Sequence, residues 1–309
     1  MPRWAIVVAE PQPRTTAMKQ YNMRESPMTR RNTSPQVHEE QNIVIVLAWP
    51  ILSDLRWNPM QLDSGTVGPV VRMSMCKVCN EPASLYGVTD FNKSCEERRG
   101  RYLPLTGVPV YYHQCDACGL IFTTAFDQWS KADYLQHIYN DDYVLVDPDY
   151  IDSRPAGNAA FILDFIKKGR ALRCLDYGGG NGTLTSLLRE GGVDGHSWDP
   201  MDEQAVPPSG SFDFISAFEV LEHTPEPLAT AQEALGLLNG RGVLLFSTLT
   251  IDHVPQRGMD NWYIAPRNGH ITLYTRRSLQ TMFAGLGYRI HHFNDNLHMA
   301  LKEDPDWLN

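Results

Sequence analysis

The chain has 309 residues, 42% of them hydrophobic, and can bury one large α/β core with length left for a smaller unit. Its net charge of −9 argues against a broad basic face for nucleic acid and favours a small-molecule or sugar-like partner. No run approaches the ~20 apolar residues of a membrane-spanning helix. Six cysteines in no secretory pattern indicate a reducing compartment. We expect a cytoplasmic protein without a membrane partner, and the sequence leaves its oligomeric state open.

Residues 1–72 mix Pro, Gln, Arg and Thr without a period of 2 or 3.6, which predicts an extension with little fixed structure. Its most apolar run, residues 43–52, includes Pro50 and lies too deep in a polar stretch for a secretory signal. Met73 and Met75 stand directly before the first cysteine motif. The alternative is therefore that translation starts there and that residues 1–72 are wrongly assigned to the protein.

Two C-x-x-C pairs are separated by 35 residues and supply four thiols: Cys76, Cys79, Cys115 and Cys118. Each pair can present two thiolates to one tetrahedral Zn²⁺, and four ligands leave no open position, so we expect a structural metal. Gly119 fits a turn after the second pair, and the short runs around the cysteines predict small strands. Residues 73–126 are thus predicted to form a zinc-ribbon-like module that the metal stabilises. Free thiols in a redox or vestigial site are the alternative.

Residues 127–168 are rich in aromatic and acidic side chains, and they predict a linker or lid that leads into an apolar-periodic helix at 159–166. From 169 to 309, strand and helix patterns alternate, which predicts a parallel sheet with helices on both faces. The predicted strands are 172–175, 196–198, 214–218, 243–247, 288–293 and 297–301, and the predicted helices are 184–189, 228–238 and 278–286.

A glycine-rich loop follows the first of these strands and opens onto a helix near Thr183; it comprises Asp176, Tyr177, Gly178, Gly179, Gly180, Asn181 and Gly182. Glycines at 178, 180 and 182 let the backbone turn tightly and approach a ligand. Asp199 lies 21 residues after Gly178, at the predicted end of the second strand, where a carboxylate can accept hydrogen bonds from both ribose hydroxyls. Loop and acid together predict a nucleoside site. The alternatives are a nicotinamide or flavin enzyme, or a plain strand–helix turn with Asp199 as a cap.

The stretch FDFISAFEVLEHTP, residues 212–225, resembles the fourth strand and following turn of class I methyltransferases. The acid Asp176 at the loop's start also differs from the glycine usual in dinucleotide loops. Over residues 76–301 the chain resembles bacterial class I methyltransferases with an N-terminal zinc-binding domain, a group that includes sugar C-methyltransferases. This resemblance implies a Rossmann-like, seven-stranded, mostly parallel sheet at 169–309, S-adenosylmethionine as cofactor, and the zinc module before it.

Carried over by residue, the resemblance assigns the cofactor's methionine part to 176–182, its ribose to Asp199 and the active-site wall to 218–223. Phe218 and Glu219 are thus candidate cofactor contacts, and residues 262–270 resemble the substrate-side loop. For an acceptor that must lose a proton, the candidate bases are His223 and His270, with Glu219 and Glu222 as alternatives or orienting groups. Glu219, Glu222 and His223 could instead hold a divalent metal. Alternatively, Glu222 and His223 only cap a helix, and His270 only bonds to backbone.

The predicted reaction is methyl transfer, on oxygen or carbon, to a small-molecule or sugar-like acceptor. One alternative is an RNA-base methyltransferase whose zinc module binds RNA, against which the acidic charge and the lack of a Lys/Arg cluster near the cysteines argue. Another is a pseudoenzyme that only binds a nucleoside.

Overall fold

A six-stranded sheet and a five-stranded sheet organise the computed structural model, which describes residues 73–150, 153–166, 171–202, 204–253 and 258–308. The predicted extension at 1–72 lies outside the described residues. The strands are β1 (Met73–Met75), β2 (Pro82–Asp90), β3 (Pro109–Cys115), β4 (Ile121–Thr123), β5 (Arg173–Tyr177), β6 (Asp194–Trp198), β7 (Phe212–Phe218), β8 (Leu238–Ser247), β9 (Thr272–Leu273), β10 (Arg289–His292) and β11 (Leu297–Leu301).

Five α-helices accompany these strands: α1 (Lys131–His137), α2 (Ser153–Phe165), α3 (Thr183–Glu190), α4 (Pro227–Gly236) and α5 (Arg276–Gly285). Their first residues follow from local chemistry. Ser130 and Asp133 form a capping box at α1, and Thr275 and Ser278 form another at α5. Pro227 opens α4, where its missing N–H costs no helical hydrogen bond. No helix in the described ranges is long and apolar enough to cross a membrane.

The six-stranded sheet has the order β10-β11-β8-β7-β5-β6. Strands β6, β5, β7 and β8 are parallel, while β11 runs antiparallel to β8 and β10 antiparallel to β11. The expectation of seven strands is wrong for the described residues, and the sheet is mixed, with three parallel and two antiparallel pairings. The expected α/β arrangement is confirmed. Between β6 and β7 the chain has only residues 199–211, which include Pro200, Pro207 and Pro208. Prolines lack the N–H that a further strand would need.

The five-stranded sheet is antiparallel, in the order β1-β2-β3-β4-β9. Its last strand comes from the C-terminal half of the chain, since Ile121 pairs with Leu273 and Phe122 with Thr272. One apolar core joins this sheet to the six-stranded one and contains both Phe122 and Leu175. The cysteine-bearing sheet is therefore completed by β9, while a division into units at 73–126, 127–168 and 169–309 stays a prediction.

The carboxyl ends of β5, β6 and β7 meet at one edge of the six-stranded sheet, because neighbouring parallel strands end together. They end at Tyr177, Trp198 and Phe218. Ligands of open α/β sheets bind outside this edge, at the point where the strand order reverses. Here the chain order reverses beside β5, so the glycine loop after β5 lies at the expected place for a site.

Candidate active site

The glycine loop turns sharply between β5 and α3. Gly178, Gly180 and Gly182 have φ values of 74°, 50° and 75°, which L-residues rarely adopt. Gly179 is needed for a different reason, because a Cβ there would lie 2.3 Å from Ser197 Oγ. The tight turn expected from the glycine spacing is confirmed, and it leaves room above the loop backbone for a ligand.

Asp199 follows β6 directly and faces this loop. Its Oδ2 accepts a hydrogen bond of 3.0 Å from the Gly180 N–H, and its Oδ1 accepts one of 2.8 Å from the Met201 N–H. Each carboxylate oxygen retains a second lone pair that a ligand hydroxyl can use. The carboxylate is thus held in place at the edge of the sheet with acceptor capacity to spare.

Asp176 lies beneath the loop and is 4% exposed. Burial raises the pKa of its carboxyl to about 7, the charge of Asp199 adds to this, and a hydrogen bond from Ser216 Oγ at 3.0 Å opposes it. A cationic group of a ligand placed beside Asp176 would favour the ionised form. The carboxyl is therefore suited to meet an ammonium or sulfonium group.

The other predicted cofactor contacts have varied surroundings. Tyr177 is buried and its hydroxyl donates to Glu233 Oε2 at 2.5 Å, which ties the end of β5 to α4. Asn181 is exposed and its Oδ1 accepts from the backbone N–H of Thr183, so it supports the start of α3. Phe218 ends β7 and lines the cavity above the loop. The structure brings all three residues to one edge of the sheet. The side chains of Tyr177 and Asn181 also make hydrogen bonds that stabilise the local structure there.

Glu219 has a left-handed backbone, with φ of 55°, which is uncommon for a residue other than glycine. The Ser247 hydroxyl at the end of β8 stabilises this turn. It accepts from the Glu219 N–H at 2.9 Å and donates to Glu219 Oε1 at 2.7 Å. The turn sends the chain away from the sheet directly after β7 and leaves the Glu219 side chain on the cavity wall.

Glu222, His223 and His270 come together next to Glu219, with His223 itself on the cavity wall, and one ligand atom of each lies within 4.8 Å of the others. The two imidazole rings have centroids 5.0 Å apart. Three such atoms could hold a divalent cation. Glu219, which the sequence grouped with Glu222 and His223, does not belong to this cluster because its carboxylate binds Ser247.

Burial dominates the protonation of the cluster. It raises the pKa of Glu222 to about 8, helped by the charge of Glu219, and lowers that of His270 to about 4. Burial also lowers the pKa of His223 well below its usual value, and His270 and Arg154 add to this. Both imidazoles are thus neutral at pH 7, the form in which a histidine accepts a proton. His223 alone of the two histidines lines the cavity.

Tyr263 fixes two members of the cluster. Its hydroxyl donates to Glu222 Oε1 at 2.5 Å, and its carbonyl oxygen lies 2.9 Å from His270 Nδ1. This second contact makes Nδ1 the protonated nitrogen of a neutral His270. Helix capping does not describe Glu222, since its carboxyl bonds Tyr263 across the fold. The role of Tyr263 has no signature in the sequence, because it depends on contacts 41 residues apart.

The predicted substrate-side loop at 262–270 braces the segment that covers the cavity. Arg267 donates through Nη1 to the Ile138 carbonyl at 2.9 Å, and Asn268 Nδ2 donates to the Val146 carbonyl at 2.9 Å. Gly269 has φ of 86°, and a Cβ there would lie 3.0 Å from His223 Nδ1. The described part of the lid segment, residues 131–150 and 153–158, is thus bound through Ile138 and Val146 to the loop that carries His270.

Arg154, which sequence reasoning missed, is a charged group on the lid side of the cavity. Its guanidinium donates from Nη1 and Nη2 to the two carboxylate oxygens of Asp147, at 3.0 and 2.7 Å. Such a bidentate pair orients the guanidinium. The one sequence feature that could have indicated Arg154 is its position at the start of α2, the helix that precedes β5 and the glycine loop.

The cavity between the loop and the lid segment has a volume of about 710 Å³. Small-molecule sites commonly have about 300–1,000 Å³. Among its lining residues are Gly178–Gly180, Asp199, Glu219 and His223 on one side, and Tyr139 and Arg154 on the other; Gly182 is not among them. A nucleoside-containing cofactor and a second small molecule could thus meet beside His223.

A second site lies in the five-stranded sheet, where the four predicted zinc-ligand sulfurs are within 4.8 Å of one another. The Sγ atoms of Cys76 and Cys118, and those of Cys79 and Cys115, are 3.5 Å apart. This is far beyond the disulfide length of about 2.05 Å. It is close to the separation of about 3.8 Å that Zn–S bonds of about 2.3 Å give in a tetrahedron.

The two cysteine turns have the same backbone geometry. The N–H of Asn80 donates to the Cys76 carbonyl at 3.0 Å, and the N–H of Gly119 donates to the Cys115 carbonyl at 2.7 Å. Asn80 and Gly119 both have left-handed φ values, 59° and 81°. The expected turn at Gly119 is confirmed, and Asn80 is its counterpart in the first pair.

The model of the methyltransferase-domain family matches residues 136–293, more than half of the chain. The chain therefore belongs to the methyltransferase-domain family. It is an S-adenosylmethionine-dependent methyltransferase, as the resemblance of residues 212–225 predicted. No curated protein sequence matches it significantly.

Several solved structures of methyltransferases resemble the chain weakly. The mitomycin 7-O-methyltransferase MmcR is 12% identical, with a TM-score of 0.42, over 54% of this chain and 59% of its own. An O-methyltransferase family protein from Burkholderia thailandensis is 16% identical, with a TM-score of 0.38, over 59% and 70%. Magnesium protoporphyrin IX methyltransferase from Synechocystis PCC 6803, with bound S-adenosylhomocysteine, is 16% identical, with a TM-score of 0.37, over 58% and 97%. Likeness at this level says nothing about the acceptor of this chain.

Proposed function

We propose that the enzyme methylates a hydroxyl or an acidic carbon of a small-molecule acceptor, with His223 as the base. The observation that carries the proposal is that His223 is a neutral imidazole on the wall of the cavity that the glycine loop also lines. A base must reach the proton that it removes, and His223 borders the space where an acceptor would meet the cofactor.

The cofactor residues follow from the same geometry. Asp199, with a free lone pair on each oxygen, would bind the ribose hydroxyls, and Asp176 would face the cationic end of the methionine. Gly178 and Gly180 would let the cofactor approach the loop backbone. Arg154, oriented by Asp147, is suited to the carboxylate of the methionine. S-adenosylmethionine supplies an activated methyl group on a sulfonium.

In the reaction, the acceptor oxygen or carbon attacks the methyl carbon in line with the departing sulfur. The new bond to the methyl group forms as the sulfur–methyl bond breaks, and that electron pair stays on sulfur to give neutral S-adenosylhomocysteine. The acceptor proton passes to His223 and then to solvent. Asp199, Asp176 and Arg154 would hold the cofactor and His223 would orient the acceptor, so that the two reactants meet in line, which can account for much of the acceleration.

Glu222 and His270 would support this base. Tyr263 holds both, through its hydroxyl and its carbonyl oxygen. The His270 ring packs against that of His223. Because Glu222 is buried and its pKa is raised to about 8, it is mostly protonated at pH 7 and is poorly suited to be the base itself.

The four cysteines, we further propose, bind one structural Zn²⁺. Three of them are almost fully buried, and together they fill the four positions of a tetrahedral ion. A hydrogen bond of 2.9 Å from Thr275 Oγ1 to the Cys118 carbonyl links this site to the N-cap residue of α5. The metal would therefore stabilise the junction between the two sheets and supply no chemistry to the reaction.

Methyl-labelled S-adenosylmethionine tests the proposal, in a panel of phenols, sugars and RNA. We expect label on a small molecule, with kcat about 10²–10⁴-fold lower in His223→Gln and an unchanged affinity for S-adenosylhomocysteine. His196→Gln, which alters a histidine of β6 outside the cavity lining, is the matched control and should behave as wild type. Label on RNA alone, or an undiminished rate in His223→Gln, would contradict the proposal.

A further inference from the structure

The lid side of the cavity is lined by tyrosines. Four of them border the cavity: Tyr134, Tyr139, Tyr143 and Tyr150. Ring centroids of Tyr139 and Tyr143 lie 5.2 Å apart, and those of Tyr143 and Tyr150 lie 5.3 Å apart, both edge to face. The last three rings thus form one continuous row, which we call the tyrosine row.

The tyrosine row leads to the proposed base. At its outer end Tyr150 is 41% exposed. At its inner end the Tyr139 ring lies 6.2 Å from the His223 ring. Burial raises the pKa of Tyr139 and Tyr143, so both hydroxyls stay neutral. A flat ring that enters along the row would keep aromatic contact from the solvent to His223, and such ring contacts stabilise a bound ring beyond the area that it buries.

The charges around the cavity disfavour an anionic acceptor. Its described lining includes the carboxyl groups of Asp147, Asp176, Asp199, Glu219 and Glu233. Arg154 is the one Arg or Lys among those lining residues. Asp147 binds it at two points, and the proposed function assigns its remaining donors to the carboxylate of the methionine, so none is left for the acceptor. A phosphate, sulfonate or carboxylate on the acceptor would meet a negative field without a free cation.

We infer that the acceptor is an uncharged aromatic hydroxyl compound, a phenol or naphthol, and that nucleotide-activated sugars are excluded. This inference rests on the proposed function and narrows its acceptor class. The aromatic ring stacks along the tyrosine row, and its hydroxyl reaches His223. The phenolic oxygen forms the bond to the methyl group, the sulfur retains the electron pair of the broken bond, and the phenolic proton goes to His223.

Three probes test the inference by calorimetry on protein saturated with S-adenosylhomocysteine: 2-naphthol, 6-hydroxynaphthalene-2-sulfonate and uridine diphosphate glucose. The first two share ring and hydroxyl and differ in the anionic group. We expect 2-naphthol to bind at least tenfold more tightly than the sulfonate, and the nucleotide sugar not to bind. Equal or tighter binding of either anion, or no binding of 2-naphthol, would overturn the inference. Failure of S-adenosylhomocysteine itself to bind would instead count against the proposed function.

Variants of the tyrosine row separate stacking from shape. Tyr139→Leu should weaken 2-naphthol at least tenfold, and Tyr139→Phe, which keeps the ring, should weaken it less than threefold. Tyr150→Leu alters an exposed side chain, so it keeps the fold intact and should weaken 2-naphthol about threefold. In all three variants the affinity for S-adenosylhomocysteine should stay within threefold. Wild-type affinity for 2-naphthol in both leucine variants would overturn the role of the row.

Discussion

The hydroxyl of Tyr263 donates a 2.5 Å hydrogen bond to Glu222 Oε1, and both residues are almost fully buried, at 3% and 0% exposure. The same hydroxyl accepts from the Leu249 N–H at 3.2 Å. The contact joins the loop before His270 to the turn that carries His223. It therefore holds the two histidine-bearing segments in one arrangement below the cavity.

Tyr263→Phe should lower the free energy of unfolding by about 1–3 kcal/mol, because it removes a hydrogen-bond partner from a buried carboxyl. Urea unfolding at pH 7 measures this loss. Tyr274→Phe is the matched control, since Tyr274 is equally buried and donates to the Leu221 carbonyl at 3.0 Å. A smaller loss in Tyr263→Phe than in Tyr274→Phe would contradict the importance given to the contact with Glu222.

Removal of the metal should destabilise the whole described unit, since Thr275 ties the cysteine site to α5. We expect one equivalent of zinc per chain by elemental mass spectrometry, and its loss in Cys118→Ser together with a lower Tm. Cys174→Ala, which alters a buried cysteine of β5 outside the site, should retain the metal. Metal-free wild type, or an unchanged Tm after chelation, would count against a structural zinc site.

Affinity for S-adenosylhomocysteine should depend on pH through Asp176. The raised pKa of about 7 means that this carboxyl is protonated below pH 7 in the free enzyme. The ligand's ammonium favours the ionised form, so binding should strengthen as the pH rises from 5.5 to 7.5. Calorimetry at these pH values measures the effect. Asp176→Asn should bind more weakly and with little pH dependence, and a wild-type affinity that is constant over this range would argue against the contact.

Two glycine-to-alanine changes should have opposite effects on stability. Gly119 has φ of 81°, and a Cβ there would lie 2.9 Å from Thr275 Oγ1, so Gly119→Ala should destabilise by at least about 1 kcal/mol. Gly157 lies inside α2, and a Cβ there meets nothing within 4 Å, so Gly157→Ala should stabilise by up to about 1 kcal/mol. Denaturant midpoints measure both. A Gly119→Ala variant as stable as the wild type would contradict this account of the cysteine turn, and a destabilised Gly157→Ala variant would contradict the account of α2.

Short sequence patterns correctly predicted those parts of the site whose structure depends on contacts between residues close in sequence. The strand before the glycine loop, the left-handed glycines and the position of Asp199 all depend on a few neighbouring residues, and the structure agrees with them. The sequence analysis also proposed both His223 and His270 as candidate bases. Their proximity depends on a loop that folds back over 47 residues, which periodicity does not show.

The features that the sequence analysis did not predict correctly depend on contacts between residues far apart in sequence. The missing seventh strand follows from a proline-containing connection whose length matters only once β6 and β7 are placed in the sheet. The pairing of β9 with β4 joins segments about 150 residues apart, and the sequence analysis predicted no strand at residues 272–273. Arg154 can be recognised as a candidate functional residue only once the structure shows its contact with Asp147 and its place in the cavity lining.

Calorimetric titration with S-adenosylmethionine and S-adenosylhomocysteine tests the central claim most directly, with Asp199→Ala as the variant and NAD as the competing ligand. We expect micromolar binding of both sulfur compounds to the wild type, a loss of at least tenfold in Asp199→Ala, and no competition by NAD. Binding of NAD without binding of either sulfur compound would contradict the assignment of the glycine loop and Asp199 to a methyl-donor site.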